Sequence, residues 1–460
     1  MPPRLIYPAS HAPLALPKTL PDNATPTAPG PSHSNHLRRR GAARPRPLRN
    51  PPSCPFILSI LSKTMPLRIS ALLASLLFAS ILTAADEPKR NPNYTGPSAP
   101  TEILPEQSVP ANHVFTHPGI LHSQSDLDFV RSRLAAKEEP WTSALAAMRT
   151  SEFTQLAYRP KIIPVINPHD NSVGYLMKDA SAAYGHALLW AITGERAHAD
   201  KAIEILDASG DQLVEIQIGR SDQGKVTAGF VGGKFASAAE LIAHYRQPDG
   251  STAGWPKASA DRFRKMLLTV FYPRVETFKP TFNGNWDACM IATMMSLAVF
   301  CDDQPKFNRA VAYYLNGQGH GSLTHYIYAH GENQESGRDQ IHGQMGLGSL
   351  AASAEIAKKQ GLDLYSAADN RLAAGYEHMA KYLAGHDVKI VGPVPISPHG
   401  RDRFMPIFEL AYQHYVIEKK LDLPFLREAA EKHRPEGNDL IVLQSWGTLT
   451  NYRGPAIKSP

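Results

Sequence analysis

Strand-like alternation is almost absent from this chain, and apolar residues recur instead at helical spacing in one segment after another. Residues 178–193 are Ala-rich and helical throughout, and Gly194 is placed to stop them. The same period predicts helices over residues 125–137, 140–149, 197–208, 227–245, 286–300, 306–315, 367–383, 403–418 and 424–433. A further helix over 261–271 should end before Pro273, and another should run from Ser336 to a stop at Gly361. Residues 388–396 are the one strand candidate, and their prolines demote it. Ten to twelve helices in about 350 residues predict one all-α domain of paired antiparallel helices, an (α/α) toroid or incomplete helical barrel.

The front of the chain has a different composition. Residues 1–64 hold 14 of the 39 prolines and the run Arg38-Arg39-Arg40, and cannot bury a core. At Met65 a secretory pattern begins: a short basic start with Arg68, an apolar stretch over 69–82, and the small residues Thr83-Ala84-Ala85. A signal peptide works at a chain start, so residues 1–64 read as a disordered, mis-called start and 65–85 as the signal peptide. Residues 86–112, rich in Pro, Asn and Ser, read as a linker, 113–440 as the folded domain, and 441–460 as a C-terminal tail. The expected location is the periplasm or the outside of the cell, with no membrane span in the mature part. Nine Lys/Arg against one Asp in residues 1–64, with Arg68 beyond them, account for the whole positive balance: the net charge of +6 becomes −3 over residues 86–460. Nucleic acid is therefore excluded as a partner. Cys289 and Cys301 lie on or beside one predicted helix, too far apart to bridge, and read as buried thiols.

Residues 334–348 concentrate polar and ionisable groups just ahead of an apolar helical stripe formed by Ile341, Met345, Ala352 and Ile356. Ser336, with Asp339 three residues on, fits a helix N-cap with a capping partner. That would put Arg338 and His342 in the first turns, four apart on one face. A helix N-terminus offers free N–H groups and partial positive charge, and an Arg beside it adds a bidentate donor for a carboxylate. The same residues would also serve as plain caps and surface pairs.

Other loops carry chemistry as well. Asn283-Gly284-Asn285-Trp286 supplies an amide that can donate to a carboxylate and an aromatic face on which a sugar can stack, or simply a turn and a cap. Residues 316–331 hold His320, His325, Tyr326, Tyr328 and His330 among four glycines. A tyrosine there can donate and accept a proton, or pack beneath the loop. Arg403 is expected to open a helix as a second anion contact or to face solvent. No zinc spacing, phosphate-binding glycine loop or nucleophile elbow occurs.

Residues 334–348, and with them 178–207, 285–303 and 361–376, resemble the alginate lyase domain family of secreted bacterial polysaccharide lyases, over roughly residues 117–433. The run from Glu335 to Gln340 with His342 is its most specific part. The resemblance implies an (α/α) toroid with a groove for an anionic uronate polysaccharide, cleaved by β-elimination without metal or organic cofactor. It implies that Asn285 neutralises the uronate carboxylate with Arg338 or Gln340 beside it, that His342 is base or second neutraliser, and that Tyr326 is acid, or acid and base. Trp286, Gln334, Glu335, Gln340 and Arg403 would contact the polymer. The best-known alginate lyases carry an Asn-Asn-His run with the His as base, where this chain has Asn283-Gly284-Asn285-Trp286, with no His. That leaves the base open between Tyr326 and His342, and the substrate open between alginate and a glucuronan-like polymer. Two rivals stand beside the lyase. A glycoside hydrolase would need two carboxylates across the groove, with Glu335 and Asp339 as candidates. A non-catalytic acidic-glycan-binding protein would keep Trp286 and the arginines.

Overall fold

The computed structural model describes residues 102–391 and 394–457; the segments read as signal peptide and upstream start lie outside the described residues. Four helices are buried around almost their whole circumference: α3 (Ser172–Thr193), α5 (Gln223–His244), α7 (Gly284–Phe300) and α9 (Gln340–Lys359). Of these α7 exposes no residue. They pack in chain order, α3 on α5, α5 on α7 and α7 on α9. Small residues permit the close approach. A Cβ at Gly229 would come 2.5 Å from Cys289 Sγ on α7, and one at Gly232 would come 2.7 Å from Thr293 Cγ2. Thr293 fills the seam itself, donating to the Gly229 carbonyl at 2.6 Å and accepting from the Gly233 amide at 3.1 Å.

The alternate helices bury one face. In α4 (Arg196–Gln212) the buried residues Ala199, Ala202, Ile205, Leu206 and Ser209 recur three and four apart. It packs on α3, and α6 (Lys257–Met266) packs on α4; α8 (Gln304–Asn316) packs on α7 and α10 (Ala367–Leu383) on α9. Each inner helix thus alternates with a returning outer one, which is the (α/α) toroid predicted from the helical pattern. The inner helices consequently run the same way and bring their N-termini to one rim. Helices α1 (Gln124–Ala135) and α2 (Trp141–Thr150) precede the ring, and α11 (Phe408–Ala411) and α12 (Pro424–Lys432) follow it. Among the described residues the one sheet is a parallel pairing of Val165–Ile166 with Glu215–Ile216, beside three isolated bridges.

Several boundaries differ from the predicted ones. The cap of α1 is Ser123, not Ser125, because Asp126 reciprocates its hydrogen bond. Helix α3 starts at Ser172 rather than 178, and its added turns bury Val173, Leu176 and Met177. Helix α6 does not stop at Pro273. It widens into a π turn over Leu267–Phe271, and Pro273 falls in the first turn of the following Tyr272–Val275 segment, where its missing N–H is not needed. Arg403 opens no helix. Residues 403–405 are irregular ahead of Pro406, a turn at 406–407 follows, and only then does α11 begin and pass into a second π segment, Tyr412–Glu418. Residues 388–391 and 394–396 form no strand. Both ends of the described chain are packed. Leu104 and Val109 are buried, their amides held by Asn316 and Asn308 of α8 at 2.8 and 2.9 Å. Ile441, Val442, Leu443 and Trp446 are core residues.

The α11 N-terminus is closed by a buried carboxylate. Glu436 accepts the amides of Phe408 and Glu409 at 2.7 and 3.0 Å, while Glu409 itself pairs with Arg434 and accepts from Thr448. Burial, then the charge of Glu409, push Glu436 up to about 8, well above an ordinary carboxyl. Its proton is retained in the folded state after the unfolded chain has released it. Stability should therefore fall as pH rises from about 4.5 to about 8, by up to about 1.4 kcal/mol per pH unit. Melting temperatures across that range should show the decline, and Glu436→Gln should flatten it.

Candidate active site

The rim where α7 and α9 begin is organised by loop residues 332–339. Asn283 makes no side-chain cap for α7. The first two amides of that helix are instead met from the loop: Gly284 N–H donates to Gln334 Oε1 at 2.9 Å, and Asn285 N–H donates to Glu335 Oε2 at 2.9 Å. An anion at a helix N-terminus satisfies orphan donors and the dipole together. Glu335 is buried, and its other oxygen accepts from Arg338 Nη1 at 2.9 Å.

The cap of α9 is Asp339, not Ser336; Ser336 donates to Glu332 at 2.7 Å. Arg338 therefore lies just outside the helix and His342 within its first turn. They still converge, because both face one oxygen. Asp339 Oδ2 is 2.7 Å from His342 Nδ1 and 3.8 Å from Arg338 Nε, while Oδ1 accepts the His342 amide at 2.8 Å. Burial alone would raise the Asp339 carboxyl, but the His342 ring and amide and the Arg338 charge hold it at about 2. With Nδ1 so engaged, the second ring nitrogen of His342 has no partner among the described residues. The His342 side chain is 21% exposed and that of Arg338 33%.

The remaining predicted site residues are placed less openly. Tyr326 has no exposure. Its hydroxyl lies 3.0–3.3 Å from the carbonyls of Gly343 and His342 and from Glu335. Burial, then the Glu335 charge, raise its pKa well above the usual value. The ring fills space that two glycines leave: a Cβ at Gly346 would come within 2.1 Å of it, and one at Gly284 within 2.3 Å. Asn285 is 2% exposed; its side-chain nitrogen is 4.0 Å from Met345 Sδ, and its carbonyl oxygen has no partner among the described residues. Gln340 is buried and holds the 397–399 loop, donating to Ser397 O at 2.7 Å while its amide donates to His399 O at 2.9 Å. Trp286 is buried against Phe282, ring centres 4.6 Å apart. Arg403 is exposed, and only its backbone joins the site, accepting from Gln344 at 2.8 Å.

Asp339 is the residue whose role as orienter of His342 the sequence did not single out, although Asp-x-x-His at a helix start carries that signal. The neighbouring α5 end of the rim is basic. Lys279 pairs with Asp222 at 2.5 Å, and Lys225 donates to Thr277 and to the Phe278 carbonyl. Burial lowers the Lys225 pKa. On α7, Asp287 receives the Lys279 amide and the Tyr313 hydroxyl, and burial raises its carboxyl pKa.

The sequence model of alginate lyases matches residues 159–388, half of the chain, and those residues contain α3 to α10 and the whole 332–342 cluster. The chain belongs to the alginate lyase family. It is a polysaccharide lyase. Alginate lyase A1-III from Sphingomonas species A1 superposes with a TM-score of 0.54 at 13% identity, covering 73% of this chain and 98% of that one. Two of its variants, one replacing a histidine by alanine and one a tyrosine by phenylalanine, are each complexed with a tetrasaccharide. They match with TM-scores of 0.54 at 15% and 14% identity, covering 75% and 74% of this chain and 99% of theirs. At such identity the likeness is one of fold. No curated protein matches the sequence.

Burial makes Tyr326 a packing residue first. Tyr326→Phe should cost about 1–3 kcal/mol by leaving Glu335 and two carbonyls short of a donor. The expected result is a melting temperature lower by several degrees with turnover changed only a few-fold. A loss above about 100-fold at unchanged melting temperature would instead make the hydroxyl a reacting group.

Proposed function

We propose that this lyase is secreted and cleaves a uronate polymer, alginate or glucuronan-like, by β-elimination with no metal in the chemical step. The observation that carries the reading is the Arg338–Asp339–His342 cluster at the start of a helix, with Arg338 exposed, His342 partly so and Asp339 buried between them. The C5 proton of a uronate is a weak acid beside an ionised carboxylate. A guanidinium fork at that carboxylate stabilises the negative charge that develops as the proton leaves. Arg338 suits that task. The free nitrogen of His342 suits the removal of the proton, with Asp339, held at about 2, remaining ionised to steady the imidazolium that forms. The C5–H electrons then form the C4–C5 double bond, and the C4–O bond breaks. The departing oxygen takes a proton, which the His342 imidazolium is placed to return.

Asn285 and Tyr326 support the rim from beneath in this reading. Trp286, Gln334, Glu335 and Gln340 are too buried to grip a polymer, and Arg403 remains as an outlying contact. A hydrolase is disfavoured because its candidate carboxylates are committed: Glu335 to Asn285 and Arg338, Asp339 to His342. Secretion rests on the apolar stretch over 69–82. No helix among the described residues is long and apolar enough to cross a membrane.

Incubation with alginate, glucuronan, hyaluronan and pectate should raise the ultraviolet absorbance of the unsaturated product on at least one polymer, with a chelator present and well below the melting temperature. His342→Ala should lower kcat by about 10²–10⁴-fold. Arg338→Lys, which keeps the charge but loses the fork, should also lower kcat. New reducing ends without unsaturation would transfer the reading to a hydrolase. Full activity of His342→Ala would remove it from the role of base.

A further inference from the structure

Away from the reacting rim, at the C-terminal end of α5, lies a second cluster that the lyase reaction does not use. Glu240 and His244 are four apart on that helix and so share a face. His117, from the segment before α1, meets them: its Nδ1 is 2.8 Å from Glu240 Oε1, and its ring stacks on that of His244 with centres 4.2 Å apart. His117 Nε2 is 3.0 Å from Asp302 Oδ1, in the turn after α7. Candidate ligand atoms of His117, Glu240 and His244 all lie within 4.8 Å of one another.

Two atoms in this cluster are left over. Glu240 is 1% exposed; its Oε1 accepts from the Gly119 amide at 3.0 Å and contacts His117, but its Oε2 has no hydrogen-bond partner among the described residues. His244 Nε2 is likewise buried without a partner, and the two stand 3.8 Å apart, beyond hydrogen-bond reach. A buried carboxylate oxygen and a buried imidazole nitrogen, both unmatched and facing each other, constitute an unmet need that each would ordinarily fill. A proton shared with His117 answers only Oε1. A cation between the two answers both.

We propose that His117 Nδ1, the Glu240 carboxylate and His244 Nε2 bind one divalent transition ion of the zinc class, as a clamp between the N-terminal segment and α5. Two imidazoles and one carboxylate form a zinc donor set with a fourth position left for water. Bonds of about 2.0–2.2 Å in a tetrahedral site set ligand atoms about 3.3 Å from one another, so the widest separation must close by about 1.5 Å while the His117–Glu240 contact of 2.8 Å opens slightly. Asp302 supplies the outer support such sites use: it accepts from Nε2–H of His117 and keeps that nitrogen protonated, so Nδ1, which donates to Glu240 Oε1 without an ion, is the nitrogen that would give up its proton to bind one. A solvent-open cleft lined by His117, Asp128, His244 and Gln247 gives the ion a way in. Hard calcium or magnesium is disfavoured by the two nitrogen donors.

The test uses the full chain, purified without a polyhistidine tag, stripped with a chelator and titrated with zinc. Elemental analysis after desalting should find about one zinc per chain, and zinc should raise the melting temperature by several degrees through preferential binding to the folded state. Cobalt should bind in place of zinc with the visible absorption of a four-coordinate site. Glu240→Gln, which retains the shape and an acceptor for Gly119, and His244→Ala should both lose the bound metal and the zinc-dependent shift. A stripped wild-type chain that stays folded and takes up no zinc overturns the proposal, as do variants that bind as much zinc as wild type. If both variants fail to fold, the wild-type titration and the cobalt spectrum decide alone.

Discussion

The carboxylate of Glu335 is the interaction on which the reacting end of the molecule depends. It is buried, so it must be matched or it would strongly destabilise the fold. It is met by the α7 N-terminus through Asn285 N–H, by Arg338, and by the Tyr326 hydroxyl. Those three partners come from three different stretches of chain, and one anion therefore fixes their mutual placement. Arg338 is oriented from behind, with its free donors outward. Tyr326 is held flat under α9, and the glycines at 284 and 346 set how closely α7 and α9 approach across it. Replacing the ion pair by apolar groups could preserve stability, yet it would release the guanidinium from its position.

The ring supplies the field in which this cluster works. Because α3, α5, α7 and α9 alternate with returning outer helices, their positive N-terminal ends gather at one rim. Over residues 86–460 the net charge is slightly negative, so for the polyanion proposed as substrate any attraction must come from this local arrangement and not from overall charge. Lys225, Lys279, Arg338 and the helix N-termini are that arrangement. The opposite ends of the same helices carry partial negative charge, and there the Glu240 cluster collects imidazoles and an unmatched carboxylate oxygen. One helix, α5, thus links an anion-attracting end to a cation-attracting one.

The helices were legible because packing imposes period on them: α7, wholly buried, is apolar on every face, and the one-sided α4 shows a clean stripe. Their beginnings were not. The first turns of α9 carry Gln340, His342 and Gln344, and polarity there looks like loop; the start of α3 is apolar, but it follows a stretch with several prolines and no clear period. Ser336 and Asp339 both satisfy a capping pattern, and only the Ser336 bond to Glu332 decides between them. Pro273 reads as a stop unless the preceding turn widens to π geometry, which depends on tertiary packing. The 334–342 residues of the candidate site are contiguous and were visible as a motif. The burial of Tyr326, Asn285 and Trp286 was not, because the atoms that cover them come from elsewhere in the chain. The same holds for His117, which precedes Glu240 by more than a hundred residues.

Burial also orders the chemistry. Proton transfer to a polymer requires a group that is both titratable and reachable, and in this cluster those conditions separate the candidates. Tyr326 is titratable in principle but covered, and its raised pKa works against ionisation. Glu335 is covered and consumed by its partners. Asp339 is reachable at its edge but held at about 2, too acidic to protonate a leaving oxygen. Gln340 and Asn285 do not titrate. His342 alone combines an exposed ring nitrogen with a fixed partner on the other side. The neighbouring Arg338 supplies positive charge at the distance of one carboxylate. Elimination needs one base beside one neutralised carboxylate, whereas hydrolysis needs two free carboxylates. Under the proposed reading the rim holds the first arrangement, because the buried glutamate that might have served the second is already spent on holding the arginine.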